Sequence, residues 1–314
     1  MVLLSLALLG ATRYTLPDQP PHRNLERLVT RHVEHADVWA RSARPAAHTV
    51  RAFDAARDFV RAWHAAGPPG ADAAERGVVL DFGCGTGEST EALAAAFPRC
   101  AVLGIDRSAA RLRKHAAFRA APAAGGGGVG DDDDDDGGAL MAAVSGPTRN
   151  ALLLRADVPD FWTLADAARR EGAERGAGAD APWAVRAQFI LYPNPYPKAR
   201  MLGARLPHGH AAFPAMLALG GTIVARSNWK AYLDELAAAT RHAARAGSPA
   251  ARAYAAGAGE AAPRPLTPER VAAGGGPLTA FERKYVDAGE ALHEVSTARR
   301  ASEGRGAESP LSYV

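Results

Sequence analysis

Five short apolar runs, alternating with segments of helical period, constrain this chain more than any other feature. The runs are VVLDFG (78–83), AVLGID (101–106), ALLLRAD (151–157), AQFILYP (187–193) and GTIVARS (221–227). Between them, ESTEALAAAF (88–97), SAARLRKHAAFRA (108–120), DFWTLADAARREG (160–172) and HAAFPAMLALG (210–220) place apolar residues at helical spacing. Strands that are apolar throughout, separated by helices, predict a parallel sheet covered on both faces. Such sheets bind ligands beyond the carboxyl ends of their strands, near the point where strand order reverses. Asp81, Asp106, Asp157, Asn194 and Ser227 stand at those five ends.

The remainder of the chain reads as attachments to that sheet. NLERLVTRHVEH (24–35) and HTVRAFDAARDFVRAWHAA (48–66) are helical, so residues 1–75 are expected to form an N-terminal helical extension. Residues 76–297 are expected to form one domain, and 298–314 a tail. Residues 120–147 hold a low-complexity insertion with Asp131 to Asp136 in a row, and 172–183 hold a milder one. Glycine, alanine and aspartate in such runs cannot build a core, so a solvated linker is expected.

Bulk properties exclude little. Formal net charge is +3, and the rest of the chain stands at +9 once the aspartate run is set aside. A moderately basic body suits an anionic partner. Cys84 and Cys100 make no disulfide framework, and neither has a Cys or His at metal-ligand spacing. This predicts a reducing compartment and no metal site. No apolar run is long enough to span a membrane. The opening MVLLSLALLGA lacks a basic leader and reads as an ordinary helix or strand. The expected location is cytoplasmic, or an organelle stroma or matrix if the first residues are a transit segment.

LDFGCGTGES sets Gly83, Gly85 and Gly87 between the first strand and its helix. Glycines let a backbone approach a ligand closely, and a helix start offers free N–H groups. The spacing is G-x-G-x-G, and Glu88 stands where a dinucleotide fingerprint has its third glycine. A carboxylate there repels a pyrophosphate and suits a cationic ligand. An adenosine without phosphates fits, with Asp106 for the ribose hydroxyls and Asp157 for the adenine amine.

These residues resemble class I S-adenosylmethionine-dependent methyltransferases. The resemblance implies a Rossmann-like α/β fold with a mostly parallel seven-stranded sheet and helices on both faces. Three further motifs resemble the tRNA (guanine-N7-)-methyltransferase family. Pro193-Asn194-Pro195-Tyr196-Pro197-Lys198 matches its Pro-Asp-Pro-Trp-Pro-Lys; Ser227-Asn228-Trp229 matches Thr-Asp-Trp; and Thr279-Ala280-Phe281-Glu282 matches Thr-x-Phe-Glu. The likeness spans roughly residues 45–297. Asparagine replaces the family's aspartate at 194 and 228, and the basic stretch after the loop is thinned to Lys198, Arg200 and Arg205.

What the resemblance implies is specific. The cofactor is S-adenosyl-L-methionine, held by Asp81, the three loop glycines, Asp106, Asp157 and Asn194. The partner is tRNA, touched by Tyr196, Lys198, Arg200, Asn228, Thr279 and Glu282. Asn194 and Glu282 are the expected catalytic residues, with Glu282 near the target base. The expected reaction is methyl transfer to N7 of the variable-loop guanine, by in-line displacement without a general base. Alternatives are methylation of another RNA base or a small molecule, or a non-catalytic relative that binds cofactor or RNA. Strand alternation predicts a buried Tyr192 and an exposed Tyr196. Trp229 suits core and stacking platform equally. His208 and His210 read as helix-start residues.

Overall fold

A computed structural model describes residues 19–67, 76–120, 141–144, 149–174, 183–257 and 262–297. The first apolar segment and the aspartate run lie outside these residues. Three helices come first: α1 (Leu25–Glu34), α2 (Ala36–Ser42) and α3 (Ala47–Ala66). Then follow β1 (Gly77–Phe82), α4 (Glu88–Ala96), β2 (Cys100–Asp106), α5 (Ala109–Leu112), α6 (Ala116–Ala120), β3 (Met141–Ala143), β4 (Ala151–Arg155), α7 (Val158–Glu174) and β5 (Val185–Leu191). A 3-10 helix (Ala199–Ala204) leads to α8 (Phe213–Leu219), β6 (Thr222–Ser227), α9 (Lys230–Arg245) and α10 (Pro249–Gly257). The chain ends in β7 (Arg264–Pro265), α11 (Pro268–Ala273), α12 (Ala280–Asp287) and β8 (His293–Thr297).

The strands form one sheet in the order β3-β4-β2-β1-β5-β6-β8-β7. Pairing is parallel from β4 through β6 and antiparallel for β3, β8 and β7. All five predicted runs are the parallel strands. The sheet has eight strands rather than the seven expected, because short segments extend both edges. At one edge Met141–Ala143, within the expected 120–147 insertion, pairs with β4. At the other, Arg264–Pro265 pairs with β8. Strand order reverses between β1 and β5, which sets the ligand-binding edge where β1, β2, β5 and β6 end.

Alternate residues of β1 feed two cores. Val78, Leu80 and Phe82 join Val29, Phe53, Phe161, Phe213 and Leu233 on one face. Val79 joins Leu93, Val102, Leu112 and Leu153 on the other. The first of these cores includes α1 and α3, so the helices expected as an extension share the sheet's own interior. Val29, Ala52, Ala56 and Val60 are fully buried there. The helix expected over 108–120 is broken into α5 and α6. His115 causes the break: its Nε2 meets Glu91 at 3.0 Å while Nδ1 accepts Ala117 N–H at 3.1 Å and restarts the helix.

Candidate active site

The glycine loop is held by carboxylates. Asp106 is 1% exposed at the end of β2. It accepts Gly85 N–H at 2.9 Å and Ser108 N–H at 2.8 Å, with the Arg111 guanidinium 3.2 Å away. Gly83 and Gly85 have positive φ, and a Cβ built on either meets nothing within 4 Å. The backbone is thus bare toward open space, as a closely approaching ligand requires. Gly87 serves packing instead, since a Cβ there would lie 2.7 Å from Leu153.

Asp81 lies behind the loop, fully buried, and its Oδ2 accepts the hydroxyls of Ser89 and Thr90 at 2.7 Å each. Its Oδ1 has no hydrogen-bond partner. Burial raises its pKa to about 6, against the lowering by the two hydroxyls, and nearby Asp106 adds to the rise. A buried carboxylate with an orphan oxygen is stabilised by a cation arriving at the loop. Ser89 and Thr90 were not singled out in the sequence; hydroxyls in the first turn of the helix after an acid-ending strand are the signal. Cys84, buried between Asp81 and Asp106, has its thiol pKa pushed well up by burial and by those two acids, which makes it unreactive. Asp157 is half-buried at the start of α7, where it accepts Asp160 N–H at 3.2 Å. Its own N–H donates to Thr49 of α3 at 3.0 Å.

The loop after β5 is built differently. Pro193, Pro195 and Pro197 have no N–H, and Tyr192 and Tyr196 both take the left-handed backbone region, at φ 52° and 45°. Tyr192 N–H donates to Arg226 carbonyl at 2.9 Å. Asn194, exposed, accepts Tyr196 N–H at 3.3 Å. Tyr192 and Tyr196 are both partly buried, so the expected contrast of a buried Tyr192 and an exposed Tyr196 is not met. Lys198 and Arg200 face solvent. Arg205, read in sequence with the basic stretch, is 3% exposed and turns inward to Glu235. Trp229 is core, 2% exposed. Neither histidine starts a helix. His208 is fully buried and meets Glu235 at 3.2 Å, and His210 packs edge-on against Trp39.

Glu235 is the hub beneath that loop. Burial raises its pKa, but bonds from His208 and Arg205 outweigh it and bring the carboxyl down to about 2. His208 stays neutral because burial opposes its charge. Glu235 also accepts the His22 N–H at 2.9 Å, which ties the start of the described chain to the same point.

The last motif sits on α12. Thr279 caps the helix by accepting Glu282 N–H at 3.0 Å. Glu282 was expected near a target base, but it is 0% exposed. Its oxygens take Arg226 at 2.8 Å and Leu278 N–H at 2.9 Å, and Arg226 also binds Glu294 at 2.9 Å. The Thr-x-x-Glu spacing is that of a capping box, and here the glutamate side chain braces the entry turn and β6. Burial, and then the Glu282 carboxylate, raise the pKa of the nearby Tyr192 hydroxyl. Phe281, 38% exposed, lies between the motifs: its ring is 4.7 Å from Tyr192 and 4.3 Å from Tyr285. Asn228 Nδ2 lies 3.4 Å from Tyr285 hydroxyl. Arg283 reaches Glu88 at 2.6 Å and links α12 to the start of α4. The structure therefore gathers Tyr192, Asn228 and α12 into one cluster on the β5–β6 side. Asp81, the glycines and Asp106 form another on the β1–β2 side, while Asp157 faces α3.

Residues 79–124 match the family model described as "Methyltransferase domain". A 39-residue stretch is 59% identical to Trans-aconitate 2-methyltransferase of Deinococcus radiodurans, covering 12% of this chain and 15% of that protein. Among solved structures, the 16S rRNA methyltransferase KamB is similar over 71% of this chain and 88% of its own, at 18% identity and TM-score 0.39. The 16S rRNA (adenine(1408)-N(1))-methyltransferase of Catenulisporales acidiphilia, solved with SAM, covers 79% and 94%, at 13% identity and TM-score 0.41. Similarity at that level does not bear on substrate. The domain match falls on the glycine loop and both of its carboxylates, the groups whose bare backbone and orphan oxygen suit a cationic adenosine ligand. This chain has a mixed α/β Rossmann-like fold, and the methyltransferase-domain match falls on a glycine loop suited to S-adenosyl-L-methionine.

Proposed function

We propose that this chain methylates N7 of a guanine in tRNA, the variable-loop guanine in the family it resembles. The observation that carries the reading is the meeting of three motifs distant in sequence. Tyr192, at the entry to the proline loop, packs at a tilt against Phe281, and Asn228 lies beside Tyr285 on the same helix. Lys198 and Arg200 on the proline loop and Lys284 on α12 are exposed and suit a phosphate backbone.

S-adenosyl-L-methionine supplies an electrophilic methyl group. Guanine N7 brings a lone pair and loses no proton on methylation, so no general base is required. The residues of the proline loop fit that demand: they offer amides and phenols and no carboxylate. Their task is to hold the base in line, an effect worth up to ~7–11 kcal/mol. Positive charge then develops on the imidazole ring. Asn194 meets it with a dipole only, and the Glu282 charge is already taken by Arg226. A slow enzyme is therefore expected. Methylation of an exocyclic amine needs a proton acceptor, and an amide is a poor one.

Mass spectrometry of tRNA nucleosides from cells lacking this gene tests the reading. The expected result is loss of 7-methylguanosine, restored by the native protein and not by Asp106→Ala. Unchanged 7-methylguanosine would sink it. If the protein then bound the methyl donor without labelling any RNA or metabolite, a non-catalytic binding role would replace it.

A further inference from the structure

The prolines that stiffen the 193–198 loop also strip it of donors. Of its six residues, Pro193, Pro195 and Pro197 bring no N–H, so the loop cannot hold itself by a backbone ladder. Tyr196 nevertheless keeps a left-handed backbone at φ 45°, a state that persists only when its surroundings fix it. Arg205 supplies the missing donors from beneath. Its Nε donates to Tyr196 carbonyl at 3.1 Å, and a terminal nitrogen donates to Pro197 carbonyl at 3.3 Å. The other terminal nitrogen meets both Glu235 oxygens at 2.6 Å, and the guanidinium lies 5.0 Å from the Trp229 ring centre. Arg205 and Glu235 are each 3% exposed, so neither serves as a surface charge. A guanidinium is buried at such a place only with its fork fully used.

We propose that Arg205, braced by Glu235, is a positioning residue that sets the conformation of the proline loop and hence the placement of Asn194 and Tyr196 against the acceptor base. This rests on the methyl-transfer reading above. Lysine keeps the charge and can still pair with Glu235, but a single ammonium cannot span the carboxylate and two carbonyls at once.

The test uses the full chain and Arg205→Lys, with hydrogen exchange at single amides and steady-state methyl transfer to tRNA. Tyr196 N–H should exchange about tenfold faster in the variant. Tyr192 N–H, held by Arg226, and the β5 amides should not change. kcat should fall about tenfold while affinity for S-adenosylmethionine stays put. A merely structural role predicts faster exchange throughout β5 and unchanged kcat per folded molecule; that result, or no change at Tyr196, overturns the proposal. If Arg205→Lys does not fold, Glu235→Gln carries the same readouts with a smaller expected change. If the native protein labels no tRNA, the substrate reading fails, and the exchange data still decide whether Arg205 fixes the loop.

Discussion

The two halves of the open sheet edge are held by opposite means. On the β1–β2 side, Asp106 accepts the Gly85 N–H of the glycine loop and the Ser108 N–H of its own turn, and bare space lies beyond the loop. On the β5–β6 side, a guanidinium donates to the carbonyls of a proline loop and leaves side chains outward. One half presents backbone to its ligand, so glycine is required and carboxylates steady it. The other presents Asn194 and Tyr196, so the backbone must be fixed from below by a cation. The difference predicts that cofactor binding and substrate handling can be damaged separately.

The largest expected effect is on the β5–β6 side. Glu282→Ala leaves Arg226 with Glu294 alone in a buried site, and should cost about 3 kcal/mol of stability by denaturant titration. Affinity of the folded variant for S-adenosylmethionine should not change; a parallel drop would merge the two halves into one unit. Next is Asp106→Ala, which frees two amides and removes a buried carboxylate. A loss of about 2–3 kcal/mol, roughly 30–150-fold in calorimetric affinity for the same ligand, is expected, with exchange at Tyr196 N–H unaffected.

A pH experiment separates the halves more finely. Asp81 has a folded-state pKa of about 6, above its ordinary 3.8. Its stability contribution is therefore fully present below about pH 4 and is lost as pH rises through 6. A cationic ligand favours the ionised form, so binding should weaken about tenfold between pH 7.5 and 5. Asp81→Asn should flatten that profile. The loop over Glu235, whose carboxyl is held down at about 2, should be indifferent across the same range, losing its support only as pH falls from the ordinary 4.5 toward 2. Asn194→Asp is the smallest effect: it should preserve or raise the methyl-transfer rate by a few-fold, because a carboxylate stabilises the developing imidazolium better than an amide. A complete loss would mean the amide itself is needed.

The β1–β2 half of the fold was legible because its signals are local. VVLDFG and AVLGID are short apolar runs ending in acids, and they are β1 and β2. The β5–β6 half was legible as motifs and opaque as roles. Glu282 carries a capping-box spacing with Thr279, a helix-start signal that competes with any catalytic reading, and burial sides with the former. Arg205 looked like one more phosphate contact because sequence does not say which cation of a cluster turns inward; a Glu 30 residues later on α9 decides it. The outer strands were invisible for a related reason. Met141–Ala143 is three residues in a glycine-rich context, and β7 contains a proline. Each pairs only because an edge is already there.

The reading of the β5–β6 half depends most on which atom accepts the methyl group. Purified protein, tRNA and labelled S-adenosylmethionine test this directly, with one transcript natural and one carrying 7-deazaguanine at the variable-loop position. Label on the first and none on the second is the expected result. Equal label on both, or label on neither, would contradict it.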